Sequence, residues 1–249
     1  MSWTDAAIVM ACFAIAFAVS LEHRRRSWRR IASHLYDKYA AGWANTPRWE
    51  ARESDGEPVL PRWLDGRAAA IARELQGLGF TYVGALEMGA GVENRGDRRA
   101  VGIFIGDGGT IWAASHHASG VVELETELDD GRIVSTARGV VTAPTTAPPG
   151  DDVRLVADDV PIAELLADQR SRVRARLDAD AGRRVLTCHT LHDVLASQSR
   201  QQDRMLAFRR AMGYLTDPEL EAQARALGLS PQATKGVLRE YRRRARREH

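Results

Sequence analysis

The feature that most constrains this 249-residue chain is an apolar run near its start that ends at a cluster of arginines. Residues 6–21 contain no charged side chain, and Ser20 is their one polar residue. As a helix this run would span about 24 Å, or about 28 Å counted from Trp3, against a bilayer core of about 30 Å. The run therefore predicts a transmembrane helix. A buried core helix is the alternative that a run of this length leaves open.

The charges around the run predict its orientation. A secretory signal peptide carries its positive charge before the apolar segment, whereas here no Lys or Arg precedes residue 21. Arginines that follow the segment resist translocation, which predicts an uncleaved anchor in a bacterial inner membrane, with the N-terminus outside. The residues expected at the membrane interface are Trp3, Arg24, Arg25, Arg26, Trp28, Arg29 and Arg30.

Changes in composition and the positions of proline and glycine divide the rest of the chain into segments. Cys12 and Cys188 offer no disulfide framework, which is consistent with a reducing compartment such as the cytoplasm. The predicted segments are a transmembrane anchor (1–22), a juxtamembrane amphipathic helix (23–45), a Pro-rich linker (46–61), an α+β soluble domain (62–215) and a basic helical hairpin with its tail (216–249).

Residues 80–142 alternate in hydrophobicity with a period of two, which predicts an antiparallel β-meander of about five strands. The fold class expected is therefore α+β: a transmembrane helix, this meander and a helical C-terminal region. If Asp130 and Gly131 form a two-residue hairpin loop, Leu128 faces Ile133 on the buried side. The glutamates at 123, 125 and 127 would then lie on a solvated face.

Two histidines are the best candidates for metal ligands. His189 and His192 would lie on one face of a helix at i and i+3, close enough to share a zinc ion. A site needs further ligands, and the alternative is a pair of surface or capping histidines at a helix start. No zincin, P-loop or nucleophile-elbow pattern is present, so the sequence predicts a protein without enzymatic activity or cofactor.

The sequence of the C-terminal region predicts a helix, a tight turn and a basic helix. Residues 226–235 (ALGLSPQATK) resemble the turn of helix-turn-helix DNA-binding modules of the sigma-factor and response-regulator kind, although Ala233 stands where a β-branched residue is usual. The resemblance implies a third supporting helix, for which residues 191–214 are a candidate. The candidates for contact with an anionic surface or nucleic acid are Lys235, Arg239, Arg242, Arg243, Arg244, Arg246 and Arg247. The alternative is a solvated amphipathic hairpin that packs its leucines inward and binds no ligand.

A second resemblance concerns the middle of the chain. Residues 123–136 (ELETELDDGRIVST) and 161–166 (PIAELL) are similar to uncharacterised membrane-anchored bacterial proteins. This resemblance implies an α+β cytoplasmic domain and no catalytic residue. The function expected is a non-enzymatic interaction or scaffold protein at the cytoplasmic face, with the lipid bilayer, anionic lipid or a protein as partner. The alternative is a membrane-tethered DNA-binding protein that uses the C-terminal hairpin.

Overall fold

A computed structural model describes residues 3–52, 66–88, 100–116, 120–139 and 146–248, with side chains from residue 16 onward except at 52, 88 and 100. The helices are α1 (Trp3–Ala44), α2 (Gly66–Gly77), α3 (Ile162–Ala179), α4 (Leu191–Ala211), α5 (Asp217–Ala226) and α6 (Pro231–Glu248). The strands are β1 (Trp49–Arg52), β2 (Thr81–Met88), β3 (Ala100–Gly106), β4 (Ile111–His116), β5 (Val122–Glu127), β6 (Ile133–Arg138) and β7 (Asp152–Val156).

The chain divides into two compact units, of which residues 46–205 form the sheet unit. Its strands lie in the order β1 to β7; successive strands are antiparallel except β6 and β7, which are parallel. The α+β class agrees with the sequence, but the five-strand meander is wrong because β1 and β7 extend the sheet to seven strands. Neither of these strands has a strong sequence signal, because β1 has four residues and the apolar side chains of β7, Val153 and Leu155, are exposed.

Helices cover both faces of the sheet within this unit. On one face, α2 and α3 pack on a core that contains Phe104 and Leu124. On the other face, Val194 of α4 packs with Trp112 and Cys188. The strands β4, β5 and β6 therefore alternate between two buried environments, whereas the sequence predicted that one face of the sheet would be solvated.

The β5–β6 hairpin differs from the predicted register by one residue. The Leu128 N–H donates to the Arg132 carbonyl oxygen at 2.8 Å, so the loop has three residues and ends at Gly131 with φ +77°. Glu127 consequently faces Ile133, where the sequence had placed Leu128. A shift of one residue exchanges the two faces of a strand, and it turns the glutamates of β5 toward α4.

The three glutamates of β5 are thus not a solvated row. Glu125 is only 4% exposed; it accepts a hydrogen bond from Gln201 Nε2 at 2.8 Å and lies beside the carboxyl of Glu123. Burial, reinforced by the neighbouring Glu123, raises the pKa of Glu125 well above its ordinary value. Glu127 accepts two hydrogen bonds from Arg200, at 2.9 and 2.6 Å. The strand therefore buries a carboxyl pair next to an ion pair.

The second unit combines residues 1–45 with residues 206–249. Its core is formed by the second half of α1 together with α5 and α6, and it includes Leu35, Tyr36, Leu220, Val237 and Tyr241. Tyr36 makes aromatic contacts with Tyr241, with ring centroids 5.6 Å apart. The juxtamembrane helix expected over residues 23–45 is therefore the continuation of one 42-residue helix that packs against other helices.

The predicted transmembrane anchor is wrong. Across the part of the chain that the structure describes, no helix is long and apolar enough to cross a membrane. The side chains of residues 6–15, which carry most of the predicted anchor, lie outside the described residues. The finding on the described helices corrects the inner-membrane localisation and the transmembrane part of the fold class together.

Replacing Glu125 should change how stability depends on pH. Because the folded state holds a proton on Glu125 above its ordinary pKa of 4.5, stability falls as pH rises from there through the raised pKa. Glu125→Gln keeps the shape and removes that decline, so we expect a higher melting temperature than wild type at pH 8 and a smaller difference at pH 4. Circular dichroism melts across this range measure it.

Glu127→Gln is the matched control for this prediction. The same amide replacement there removes the carboxylate that binds Arg200, so the melting temperature should fall at pH 8. If both variants shift the melting temperature in the same direction at pH 8, the assignment of a buried neutral carboxyl to Glu125 is wrong.

Candidate nucleic-acid interface

The turn between α5 and α6 is built from local capping interactions. Thr216 and Glu219 form a capping box at the start of α5, and the Thr216 N–H donates to Glu219 Oε2 at 2.8 Å. After α5, Gly228 adopts φ +69° and its N–H donates to the Arg225 carbonyl oxygen. The Ser230 hydroxyl then accepts from the Ala233 N–H at 3.3 Å and begins α6. The helix, turn and helix predicted from the sequence are confirmed at these residues.

The third helix of this arrangement is α1. Trp28 packs on Gly236, Arg29 pairs with Glu240, and Asp37 pairs with Arg244. Because the residue numbers of these contacting pairs increase together along the two helices, α1 and α6 run parallel. The sequence had named residues 191–214 as the candidate support. The last turn of α4 contributes instead through Arg209, whose guanidinium donates to Glu219 at 2.7 and 2.9 Å and lies 5.1 Å from the Trp43 ring.

Two contacts fix the rotation of α6 about its own axis. A β-carbon at Gly236 would lie 2.3 Å from the Trp28 ring, so only glycine permits this approach of the two helices. The Tyr241 hydroxyl donates to the Gly213 carbonyl oxygen at 2.6 Å. Burial raises the pKa of Tyr241, which therefore stays protonated as a donor. These contacts hold the side of α6 that contains Val237 against the core.

The opposite side of α6 is a continuous basic surface, which we call the α6 basic face. All its members are exposed, and they are Lys235, Arg239, Arg242, Arg243, Arg246 and Arg247. Arg242 is paired with Asp217, with Nε 2.9 Å from Oδ1, and Arg243 with Glu240 at 3.0 Å. For the other four residues, no carboxylate partner is found within residues 3–52, 66–88, 100–116, 120–139 and 146–248. The face therefore carries a net positive charge directed away from the core.

Arg244 was predicted to join this surface, but the structure places it elsewhere. It is half-buried and donates to Asp37 of α1 at 2.6 and 3.1 Å. Its guanidinium also lies 4.9 Å from the centroid of the Tyr36 ring. Arg244 thus ties α6 to α1, and the ligand-facing set is better described without it.

The residues predicted for a membrane interface have different surroundings. Trp28 is half-buried against α6, and the side chain of Trp3 lies outside the described residues. Arg26 pairs with Glu22 at 3.1 Å and Arg29 with Glu240 at 3.3 Å. The remaining arginines of this cluster are exposed, with no ion pair to any described residue; they are Arg24, Arg25 and Arg30.

The predicted metal candidates lie at the start of α4. Asp193 accepts hydrogen bonds from the His189 and Thr190 N–H groups, each at 2.9 Å, and the Thr190 hydroxyl accepts from the Asp193 N–H at 3.2 Å, which forms a capping box. His189 and His192 are both exposed. The described residues contain no group of three or more His, Cys, Asp or Glu placed to hold a metal ion. Nearby Cys188 is buried, which raises its pKa to about 11 and keeps the thiol protonated.

No known protein family, curated protein or solved structure matches this chain. The assignment of a function therefore rests on the geometry of the chain itself.

Sequence reasoning identified the basic residues of α6 but missed the residues that orient them. Gly236 was one available signal, because an isolated glycine inside a helix often marks a close packing contact. Its partner Trp28 is more than two hundred positions earlier in the chain, and it had been assigned to a membrane interface.

Gly236→Ala should destabilise the helical unit. Alanine favours a helix by about 1 kcal/mol over glycine, but forcing a methyl group into a packed contact costs about 1–3 kcal/mol. With the Trp28 ring 2.3 Å from the new β-carbon, we expect a net loss of about 1–2 kcal/mol in the free energy of unfolding. Chemical denaturation followed by circular dichroism measures it.

Gly42→Ala is the control, because Gly42 also lies in a helix of this unit and a β-carbon there has no atom within 4 Å. It should leave stability unchanged or raise it. Equal stabilisation by both substitutions would contradict the close contact between α6 and α1.

Proposed function

We propose that this chain is a non-enzymatic nucleic-acid-binding protein that holds a double-stranded nucleic acid against the α6 basic face. The observation that carries the proposal is a set of six exposed cations on the outward side of a helix whose rotation is fixed by its packing. Cationic side chains that neutralise phosphates and release counterions provide most of the affinity of such proteins. This proposal retains the prediction of a non-enzymatic interaction protein and omits the predicted membrane anchor.

The energetics of α6 support a ligand for this face. Lys235 and Arg239, Arg239 and Arg243, and Arg242 and Arg246 are like-charge pairs at i and i+4. Such pairs destabilise a helix by about 0.2–0.5 kcal/mol each. The core of the unit is formed by the other side of the helix, and Arg242 and Arg243 are the members of this face that pair with a described carboxylate. A polyanion on this face would convert the repulsion into attraction.

The shape of the face favours a double strand over a single strand. From Lys235 to Arg247 the cations extend about 18 Å along a straight helix. Proteins that bind single strands combine positive charge with aromatic side chains on which bases stack. The one aromatic residue of α6, Tyr241, is buried, so this face can contact phosphates but offers no stacking platform.

Fluorescence anisotropy with a labelled 20-base-pair duplex tests the proposal. The logarithm of the binding constant should fall linearly with that of the salt concentration, with a slope of about −4 to −5 for four to six phosphate contacts. Arg239→Ala combined with Arg246→Ala removes two unpaired cations, so the slope should become shallower by about 1.8. A single strand of equal length should bind more weakly.

The matched control is Arg174→Ala combined with Arg225→Ala, which makes the same change in net charge at exposed arginines of α3 and α5. It should leave the slope close to that of wild type. Absence of duplex binding at low salt would falsify the proposal. Displacement of the labelled duplex by poly-glutamate at a lower charge concentration than by unlabelled duplex would instead indicate an acidic protein as the partner.

A further inference from the structure

A cleft of about 390 Å³ lies between α1 and α6. Its walls carry Arg29 and Ser33 from α1, and Glu240, Arg243, Arg244, Arg247 and Glu248 from α6. Because Arg243 and Arg247 also belong to the α6 basic face, the cleft opens beside that face. Five side chains that can donate hydrogen bonds, four arginines and Ser33, therefore line one concave surface.

Four arginines line the cleft against two carboxylates, those of Glu240 and Glu248, so the cleft is positively charged. Glu240 is 10% exposed and is shared by Arg29, at 3.3 Å, and Arg243, at 3.0 Å, whose side chains remain about half exposed. Each guanidinium has five N–H donors, so one shared carboxylate leaves donors free on both arginines. Arg247 has no carboxylate partner within the described chain. The cleft can therefore accept another anion with several acceptor oxygens.

We propose that this cleft is a phosphate-binding site that takes one backbone phosphate of the bound duplex, with Arg29 and Arg243 as its principal ligands. Guanidinium groups match phosphate oxygens in geometry and bind them through paired hydrogen bonds. Glu240 competes for the same donors and holds the two arginines in place before the phosphate enters. This inference rests on the proposed function and adds α1 to the binding surface.

Two substitutions with opposite expected effects test the site in the duplex titration. Arg29→Ala removes one phosphate contact, so the salt slope should become shallower by about 0.9 and binding should weaken. Glu240→Gln removes the carboxylate that competes for the arginine donors, so binding should tighten, and the slope should steepen by no more than about 0.9, the value for the one phosphate that the site takes. Glu164→Gln, on α3, is the charge-matched control for the second variant and should leave the slope unchanged.

The outcomes separate this inference from the proposed function. If wild type binds duplex but Arg29→Ala and Glu240→Gln leave the slope unchanged, the phosphate site is overturned and the proposed function stands. If wild type does not bind duplex, the proposed function fails, and inorganic phosphate becomes the probe. A rise in melting temperature with phosphate over chloride at equal ionic strength, lost in Arg29→Ala, supports the site; no rise overturns it.

Discussion

The approach of Gly236 to the Trp28 ring is the contact on which the arrangement of the helical unit depends. A side chain at residue 236 would push the helices apart, since a β-carbon there would lie 2.3 Å from the indole of Trp28. With α6 held there and at Tyr241, its rotation is set, and every residue on the far side is directed outward. The position of the cations is thus a consequence of packing on the opposite side of the helix.

The two units differ in whether their charged side chains are buried and paired or exposed. In the sheet unit, Glu125 and Glu127 are buried under α4, and each is satisfied by a hydrogen-bond partner from that helix. Burial of acidic groups is costly, so these partners are needed for the fold. On α6 the charges are exposed and four lack a carboxylate partner among the residues described, so the fold has no need of them. Charge that is not required for folding is the better indication of a ligand.

Local signals in the sequence located α5 and α6, because Asp217-Pro218 and Ser230-Pro231 mark helix starts whatever the rest of the chain does. The β5–β6 register could not be predicted, since it depends on whether the loop at Gly131 has two residues or three. The sequence is compatible with both loop lengths. Pairing of α1 with α6 was equally inaccessible. The apolar run before Arg24 favoured a bilayer, while the partner helix lies at the other end of the chain.

The amphipathic character of α1 beyond residue 28 explains why the membrane interpretation failed there. Tyr36 and Leu35 form an apolar stripe that suits a lipid surface as well as a protein core, and the sequence does not distinguish the two. In the structure, Arg244 shows that the stripe packs against protein. It binds Asp37, which lies beside the stripe, and places its guanidinium over the Tyr36 ring. An acidic residue beside the stripe would be unfavourable at an anionic membrane, whereas it is required in a contact with an arginine-rich helix. The position of Asp37 on α1 therefore agrees with the packing of this helix against α6.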